Sequence, residues 1–588
     1  MAGVPFKYSL GDVVSRVSSV YPNIEPIIES ANYLLKKKEE AVSQYMNFDD
    51  GEFTRVAPNA ETILRAGGVY ILNWGMGAGK TKFMCEVAAA AEKNNLSTMY
   101  LTHRVAIVDN AATRLGATHY QDVNELDMRH VRTLVSCINS LTKPYIAAYA
   151  ADAGVLKIDE VRQVLEAIAT GTVSKHEKPK TFDKLRKQVA NARTVIAADA
   201  DIDLKTIEFL KSCGRELYVV DPPEGYVPPQ KAVIHGSYKQ VETHALEAVR
   251  NKERCLIFTD SKEHSATLEQ ECLKAGVTPL IINSDTRGDR DQKEFLGNPN
   301  IDKGFKVVIA TPVISSGFSI EKDLFDKVFM LSQGVLAMNE IVQTAARYRP
   351  AKEVIIGFKD WRADRVDEED ELALLAKQGD PTDFSEWHVK CEALEQNARA
   401  YGASGVLMAF EMKGWELKRL GGVLPTIKTG ESKAAAQENL FNDVRNAKDI
   451  DGTTAEKIKK SYSNTYVEVC ELEKHAVKTN LVQDEFTSDD FTFWNRGKVL
   501  PNINNADITS RSIDECKALD KYEIESGIDI SLRTNAEDTH VVFNQLLKLM
   551  EGSDETGHIE KSYLNSSNLC ALNETGHIES HILSSKSI

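Results

Sequence analysis

The chain reads as two α/β domains in tandem, each built on a mostly parallel sheet, with a short N-terminal extension and a mainly helical C-terminal region. Three observations give that reading. Short apolar runs alternate with helical stretches through residues 61–360, the pattern that makes a parallel sheet covered on both faces. A proline-containing stretch, Asp221-Pro222-Pro223 to Pro228-Pro229, interrupts the alternation, which then begins again. A chain of 588 residues is also too long for one core, and length alone suggests about three or four domains.

In the first α/β unit the decisive stretch is Gly75-Met76-Gly77-Ala78-Gly79-Lys80-Thr81. It lies between the apolar run Val69-Tyr70-Ile71-Leu72 and a helical segment that runs from Phe83 through the alanines Ala88 to Ala91. A glycine loop in that position turns backbone N–H groups toward the phosphates of a nucleotide, and the helix N-terminus adds a favourable dipole. Lys80 is placed to reach the β- and γ-phosphates of ATP, and the Thr81 hydroxyl to hold Mg²⁺. Trp74 stands at the first position of the pattern, where Gly or Ala is usual.

A phosphate cradle needs an acidic partner after a second buried strand. Gly154-Val155-Leu156-Lys157-Ile158-Asp159-Glu160 supplies one, with Lys157 out of character in an apolar strand. Asp159 is expected to coordinate Mg²⁺ and Glu160 to polarise the attacking water. Further strands are Ser97–Leu101, leading into Thr102-His103-Arg104, and Thr133–Cys137, followed by Ile138-Asn139-Ser140-Leu141. Another, Thr194–Ala198, ends in Asp199-Ala200-Asp201. Polar residues at the C-terminal ends of such strands lie where open α/β sheets bind ligands.

The second unit has strands at Cys255–Phe258, Pro279–Ile282, Phe305–Ala310 and Val328–Leu331, and no cradle of its own. It carries Gln343-Thr344-Ala345-Ala346-Arg347-Tyr348-Arg349 in a helical context. Taken alone, this is a basic helix face in solvent. Beside a nucleotide-binding domain, Arg347 and Arg349 read as arginine fingers for the γ-phosphate.

Together these segments resemble the ordered motifs of superfamily 2 helicases. The cradle resembles motif I, Thr102-His103-Arg104 motif Ia, and Ser136 to Leu141 motif Ib. Asp159-Glu160-Val161-Arg162 resembles the Asp-Glu-x-x box, and Ala198-Asp199-Ala200-Asp201 sits where motif III belongs. Phe258 to Ser261 resembles motif IV, Ala310 to Ile320 motif V, and Gln343 to Arg349 motif VI. Motifs III and VI are most similar to those of herpesvirus origin-binding proteins and of phage and plasmid replication helicases.

The resemblance implies two tandem RecA-like domains over residues 65–360, with ATP in the cleft between them. It implies catalytic roles for Lys80, Asp159, Glu160, Gln343, Arg347 and Arg349, and a nucleotide contact at Gly317. It also places Thr102, Arg104, Asn139, Ser140, Ser261, Thr311 and Ser316 along a nucleic-acid backbone. The chain departs from the family pattern in two places. Pro350 occupies the position of a common second arginine, and Ser316-Gly317-Phe318-Ser319 stands where Arg-Gly-x-Asp is frequent.

Composition sets further limits. No apolar run approaches the ~18 residues of a membrane span. The N-terminus, Met1-Ala2-Gly3-Val4-Pro5-Phe6-Lys7, lacks a basic-then-apolar leader profile. The nine cysteines are scattered, without a Cys-x-x-Cys pair, which fits reduced thiols and a cytoplasmic location, the host cytoplasm for a phage protein. A net charge of −16 means that nucleic acid must be held by local sites and not by a generally basic surface.

The expected organisation is an extension over 1–60, α/β domains over 61–220 and 221–362, a mainly helical accessory domain over 363–548 and a tail over 549–588. The acidic run Asp367 to Glu371 marks the change of composition, and Phe384 to Gly421 reads as helical. In the tail, Glu555-Thr556-Gly557-His558-Ile559-Glu560 recurs at Glu574 to Glu579, as two hairpins or a flexible segment. The function expected is an ATP-dependent DNA helicase of replication, of origin-binding type, acting on single-stranded or forked DNA or an origin duplex, with replication proteins as partners. The alternatives are an ATP-switched initiator that does not unwind processively and a branch-migration translocase.

Overall fold

The computed structural model describes residues 25–46, 51–75, 77–169, 171–226, 230–312, 318–359, 366–378, 382–422, 424–461, 463–499 and 512–525. Met76, Ser316, Gly317 and the repeated segment of the tail lie outside the described residues.

The first sheet is formed by β1 (Thr54–Val56), β2 (Gly68–Asn73), β3 (Thr98–Thr102), β4 (Thr118–His119), β5 (Thr133–Cys137), β6 (Val155–Asp159), β7 (Thr194–Asp199) and β8 (Leu217–Val220). Its order is β1-β8-β2-β7-β6-β3-β5-β4, and every pairing is parallel. Central strands such as Val69-Tyr70-Ile71-Leu72 and Val195-Ile196-Ala197-Ala198 are buried throughout, because helices cover both faces.

The second sheet contains β9 (Ala232–Ser237), β10 (Cys255–Thr259), β11 (Leu280–Ile282), β12 (Val307–Ala310), β13 (Lys327–Ser332), β14 (Glu353–Phe358) and β15 (Glu416–Arg419). Its order is β11-β12-β10-β13-β14-β9-β15, again wholly parallel. The fold is therefore two parallel-sheet α/β domains of RecA-like form, followed by a region rich in helices. Both sheets belong to one compact unit, made of residues 1–173, 181–366 and 390–475.

Residues 174–180, 367–389 and 476–588 make a second unit, whose described part includes the helices Glu368–Gln378, Ser488–Trp494 and Ile513–Glu525. The helix at Ser488 starts with a reciprocal cap. Thr487 Oγ1 accepts from the Asp490 N–H at 3.3 Å, and Asp490 Oδ2 accepts from the Thr487 N–H at 2.8 Å.

Two segments differ from the sequence expectation. Within the stretch expected to be helical, Glu416–Arg419 is a strand that extends the second sheet beside β9. Glu-Leu-Lys-Arg lacks the apolar pattern of a strand because β15 is an edge, paired on one side. It is held by Trp415, whose ring packs 5.1 Å from that of Phe410 in the second sheet's core. The second domain thus draws on chain well beyond residue 362.

The N-terminal helix Glu25–Met46 also joins that core. Val42, Tyr45 and Met46 are buried with Val406 and Phe410.

Candidate functional site

Strands β2, β7, β6 and β3 are neighbours in the first sheet, so their C-terminal ends form a row. That row carries the loop after Asn73, then Asp199, Asp159 and Thr102. Trp74 is no misfit at the head of the loop. It is buried, its Nε1 donates to the Val220 carbonyl at 2.8 Å, and its ring packs on Phe83. A small residue there would leave a hole under the cradle.

Gly77 and Gly79 have φ of 82° and 90°, left-handed values that glycine adopts without strain. Gly79 caps the helix Lys80–Lys93. Lys80 Nζ donates back to the carbonyls of Trp74 at 2.6 Å and Gly75 at 3.4 Å. Burial draws its ammonium below the ordinary lysine value, against the pull of Asp199, Asp159, Asp201 and Glu160. A half-buried cation that is held by carbonyls inside a loop of N–H donors is suited to an anion. Thr81 follows in the first helical turn.

Asp159 ends β6, and its Oδ2 accepts from the Tyr100 hydroxyl at 2.5 Å. Burial raises its carboxyl pKa, while Tyr100 and Lys80 oppose the shift. Glu160, at φ 54°, lies in the left-handed region that is uncommon for a side chain with a Cβ. Burial pushes its carboxyl up to about 8, with Asp159 and Asp199 adding to the shift and Arg347 and Arg104 opposing it. Its Oε2 lies 3.5 Å from His103 Nδ1, whose pKa is driven down to about 3 by burial and by Arg104 and Arg347. The His103 imidazole is therefore neutral near neutral pH, so this contact is not an ion pair. Lys157, the odd residue in β6, is fully buried and donates to the Met84 carbonyl at 2.9 Å, so it ties the strand to the cradle helix.

The second sheet contributes from the other side of the cleft. Gln343 Nε2 donates to Asp201 Oδ2 at 2.7 Å, and Gln163 Nε2 donates to Gln343 Oε1 at 3.0 Å. Asp201 also pairs with Lys413 at 2.8 Å. Although burial opposes it, Lys413 and Gln343 hold the Asp201 carboxyl below its ordinary value.

The expected helix ends at Ala345. Beyond it Tyr348 forms a single parallel bridge to Ile320, whose N–H donates to the Arg347 carbonyl at 3.0 Å and whose carbonyl accepts from the Arg349 N–H at 2.8 Å. Pro350 is the local cause, since it disfavours helical backbone at the residue before it. The bridge at Tyr348 leaves the two residues that flank it on the same side of the chain. Arg347 and Arg349 both turn to the cleft, while Tyr348 turns away and donates to Asp323 at 2.9 Å.

Arg347 lies near Glu160, which pulls up a guanidinium pKa that burial lowers; its Nη1 donates to the Phe318 carbonyl at 3.2 Å. Arg349 Nε donates to Ser319 Oγ at 3.1 Å, and its Nη1 would lie 3.9 Å from a Cβ at Gly77. Ser319, the replacement for the common motif V aspartate, thus orients an arginine.

The residues expected along nucleic acid divide. Thr102, Ser140 and Thr311 are buried, so their side chains do not present to a strand. The Thr311 N–H and hydroxyl both point at the Ile282 carbonyl. Arg104, Asn139 and Ser261 are at least partly accessible. Arg104 Nη1 donates to the Pro312 carbonyl at 3.4 Å, Asn139 Nδ2 to the Thr172 carbonyl at 2.8 Å, and Ser261 Oγ accepts from the His264 N–H at 3.2 Å.

Two site neighbours, Tyr100 and Tyr226, were given no role from sequence, and His103 was read only as the middle of Thr102-His103-Arg104. A Cβ at Gly75 would lie 2.6 Å from the Tyr226 hydroxyl. Each is an ordinary residue of a strand or a linker, and only the fold brings it to the cleft. The cradle, its half-buried lysine and the paired carboxyls suit a nucleoside triphosphate with Mg²⁺. Among the described residues no helix is long and apolar enough to cross a membrane.

No protein-family model matches the chain. An uncharacterised protein of Picosynechococcus sp. is 22% identical over 334 residues, which is 51% of this chain and 32% of that protein. The chain thus spans about a third of the length of this relative. Among solved structures, the DUF1998 helicase MrfA bound to DNA and AMPPNP matches with a TM-score of 0.41 at 13% identity, over 60% of this chain and 56% of that one. Mss116p bound to ssRNA and AMP-PNP matches with a TM-score of 0.42 at 12% identity, over 76% and 89% of the two chains.

Proposed function

We propose that the chain is an ATP-driven helicase-type motor that acts on nucleic acid. The observation that carries this reading is the convergence on one cleft of Lys80, Asp159 and Glu160 from the first sheet with Gln343, Arg347 and Arg349 from the second. Arginines brought to the cradle from a second sheet link the closure of the cleft to the γ-phosphate, which is the coupling a motor requires.

In this mechanism the cradle N–H groups and Lys80 bind the phosphates, and Tyr100 orients Asp159. Thr81 and Asp159 would hold Mg²⁺, which would supply charge neutralisation for the phosphates. Glu160 positions and polarises the attacking water once Arg347 and the bound charges favour its ionised form. Arg347 and Arg349 stabilise charge on the transferred phosphoryl group, and Gln343 reports closure by its bond to Asp201. Loss of the γ-phosphate then weakens the arginine contacts, and the cleft opens.

The nucleic acid is DNA in replication, and the finer role is that of an origin-binding helicase of phage or plasmid type. Ala198-Asp199-Ala200-Asp201 and the Gln343-x-x-x-Arg347-x-Arg349 spacing support that choice. Strand displacement on forked and blunt duplexes tests the motor, and footprinting on the parent genome tests the origin. ATP-dependent unwinding without a footprint would reduce the role to a general helicase. A footprint without unwinding would favour the ATP-switched initiator.

A further inference from the structure

Arg162 is the last residue of the Asp159 box and is 1% exposed, yet its side chain has no part in the mechanism above. Its Nη1 donates to the Tyr45 carbonyl at 3.0 Å and the Asp201 carbonyl at 3.3 Å. Its Nε donates to Glu166 at 3.0 Å and faces Asp203 at 3.4 Å. The Tyr45 ring covers the guanidinium at 4.1 Å.

Tyr45 itself is buried, and its hydroxyl donates to Asn339 Oδ1 at 3.0 Å. Asn339 is wholly buried on the helix Met338–Ala345, one turn ahead of Gln343. Its amide nitrogen has no hydrogen-bond partner among the described residues. A buried amide satisfied on one side costs stability, so the contact to Tyr45 is a poor choice for stability alone. Val42 and Met46, on the same helix as Tyr45, are anchored in the second domain's core.

We propose that Tyr45 is an interdomain positioning residue. From a helix seated in the second domain, its ring grips Arg162 of the first domain while its hydroxyl fixes the helix that leads to Arg347. Tyrosine suits both tasks, with a face for a guanidinium and a hydroxyl for an amide. The effect is to hold the arginines at the distance that hydrolysis needs. The catalytic part of this inference rests on the ATPase reading above; the contact itself does not.

The test uses the full chain with bio-orthogonal fluorophores at exposed Glu125 and Arg290, one on each α/β domain. Without nucleotide, Tyr45→Ala should shift the distance distribution to longer values, and Tyr45→Phe should shift it less. In steady-state ATP turnover, Tyr45→Ala should lower kcat about tenfold and change KM by less than about twofold, while Tyr45→Phe restores most of the rate. If Tyr45→Ala does not fold, Tyr45→Phe and Asn339→Leu decide. Each should lower kcat measurably but by less than about twofold, and the double variant should lose no more than either alone.

An unchanged distance distribution, additive losses in the double variant, or a fall in kcat matched by a rise in KM would overturn the proposal. A wild-type chain with no ATP turnover would sink the ATPase reading instead, because the distance shift is read without nucleotide.

Discussion

Lys80 holds a half-buried positive charge against the carbonyls of Trp74 and Gly75, a poor substitute for phosphate oxygens. Lys80→Ala should therefore abolish ATP turnover with little effect on folding, as circular dichroism and a coupled phosphate assay will show; normal turnover would remove the cradle from the mechanism. Glu160→Gln should keep nucleotide binding and trap a nucleotide-bound state, measurable by filter binding alongside the same phosphate assay.

Arg347→Ala should cost on the order of 10³ in turnover, with a much smaller loss in ATP binding. Arg349→Ala tests whether the alternation across Tyr348 gives a working second finger. If both arginines contact the phosphoryl group, its loss should approach that of Arg347→Ala. Rates near wild type in the double alanine variant would sink the closed-cleft mechanism.

Element by element, the correct strand-and-helix alternation hid several local errors. The stretch Gln343 to Arg349 carries helix formers and reads as one helix, but the residue before Pro350 resists that conformation and Ile320 offers an extended partner. No local signal names Ile320. Lys157 looks wrong in a buried strand until the Met84 carbonyl is placed beside it.

Edge strand β15 lacks an apolar pattern, and it creates a further buried lysine beneath it. Lys231 Nζ donates to the Tyr348 carbonyl at 3.1 Å and lies over the Trp415 ring. Burial, with help from Arg349, pushes its pKa down to about 8 from 10.5. The unfolded chain therefore binds more protons at this residue between those values. Its contribution to stability rises as pH increases through that window and is lost as pH falls toward 8. Denaturant melts of wild type and Lys231→Met should show a difference that changes between pH 8 and 10 and is flat below pH 7.5. A pH-independent difference would show that Lys231 does not titrate there.

At the scale of the molecule, a net charge of −16 must be reconciled with the polyanionic substrate proposed above. Of the side chains expected along a strand, Arg104 alone is cationic, and Asn139 and Ser261 are neutral. Neutral donors and backbone N–H groups hold phosphates without releasing many counterions. The logarithm of the DNA association constant should therefore fall with the logarithm of salt at a slope of about −1 to −2. Fluorescence anisotropy across a potassium chloride series measures it, and a slope steeper than about −5 would require a basic surface outside these residues.

The division between sequence and fold follows from the range of the forces. Local periodicity and turn chemistry were enough to read two parallel α/β domains, because each strand, loop and helix start is decided within about ten residues. The cradle, the Asp159-Glu160 pair and the arginines are short-range patterns, and they were readable for the same reason. What the residues meet across the cleft was not. Gln343 against Asp201, Arg347 beside Glu160, and Tyr45 joining Arg162 to Asn339 connect positions 142, 187 and 294 apart at most. No spacing along the chain encodes such partners. They exist because helices packed on two separate sheets bring them together, and burial then makes each hydrogen bond and charge strong enough to matter.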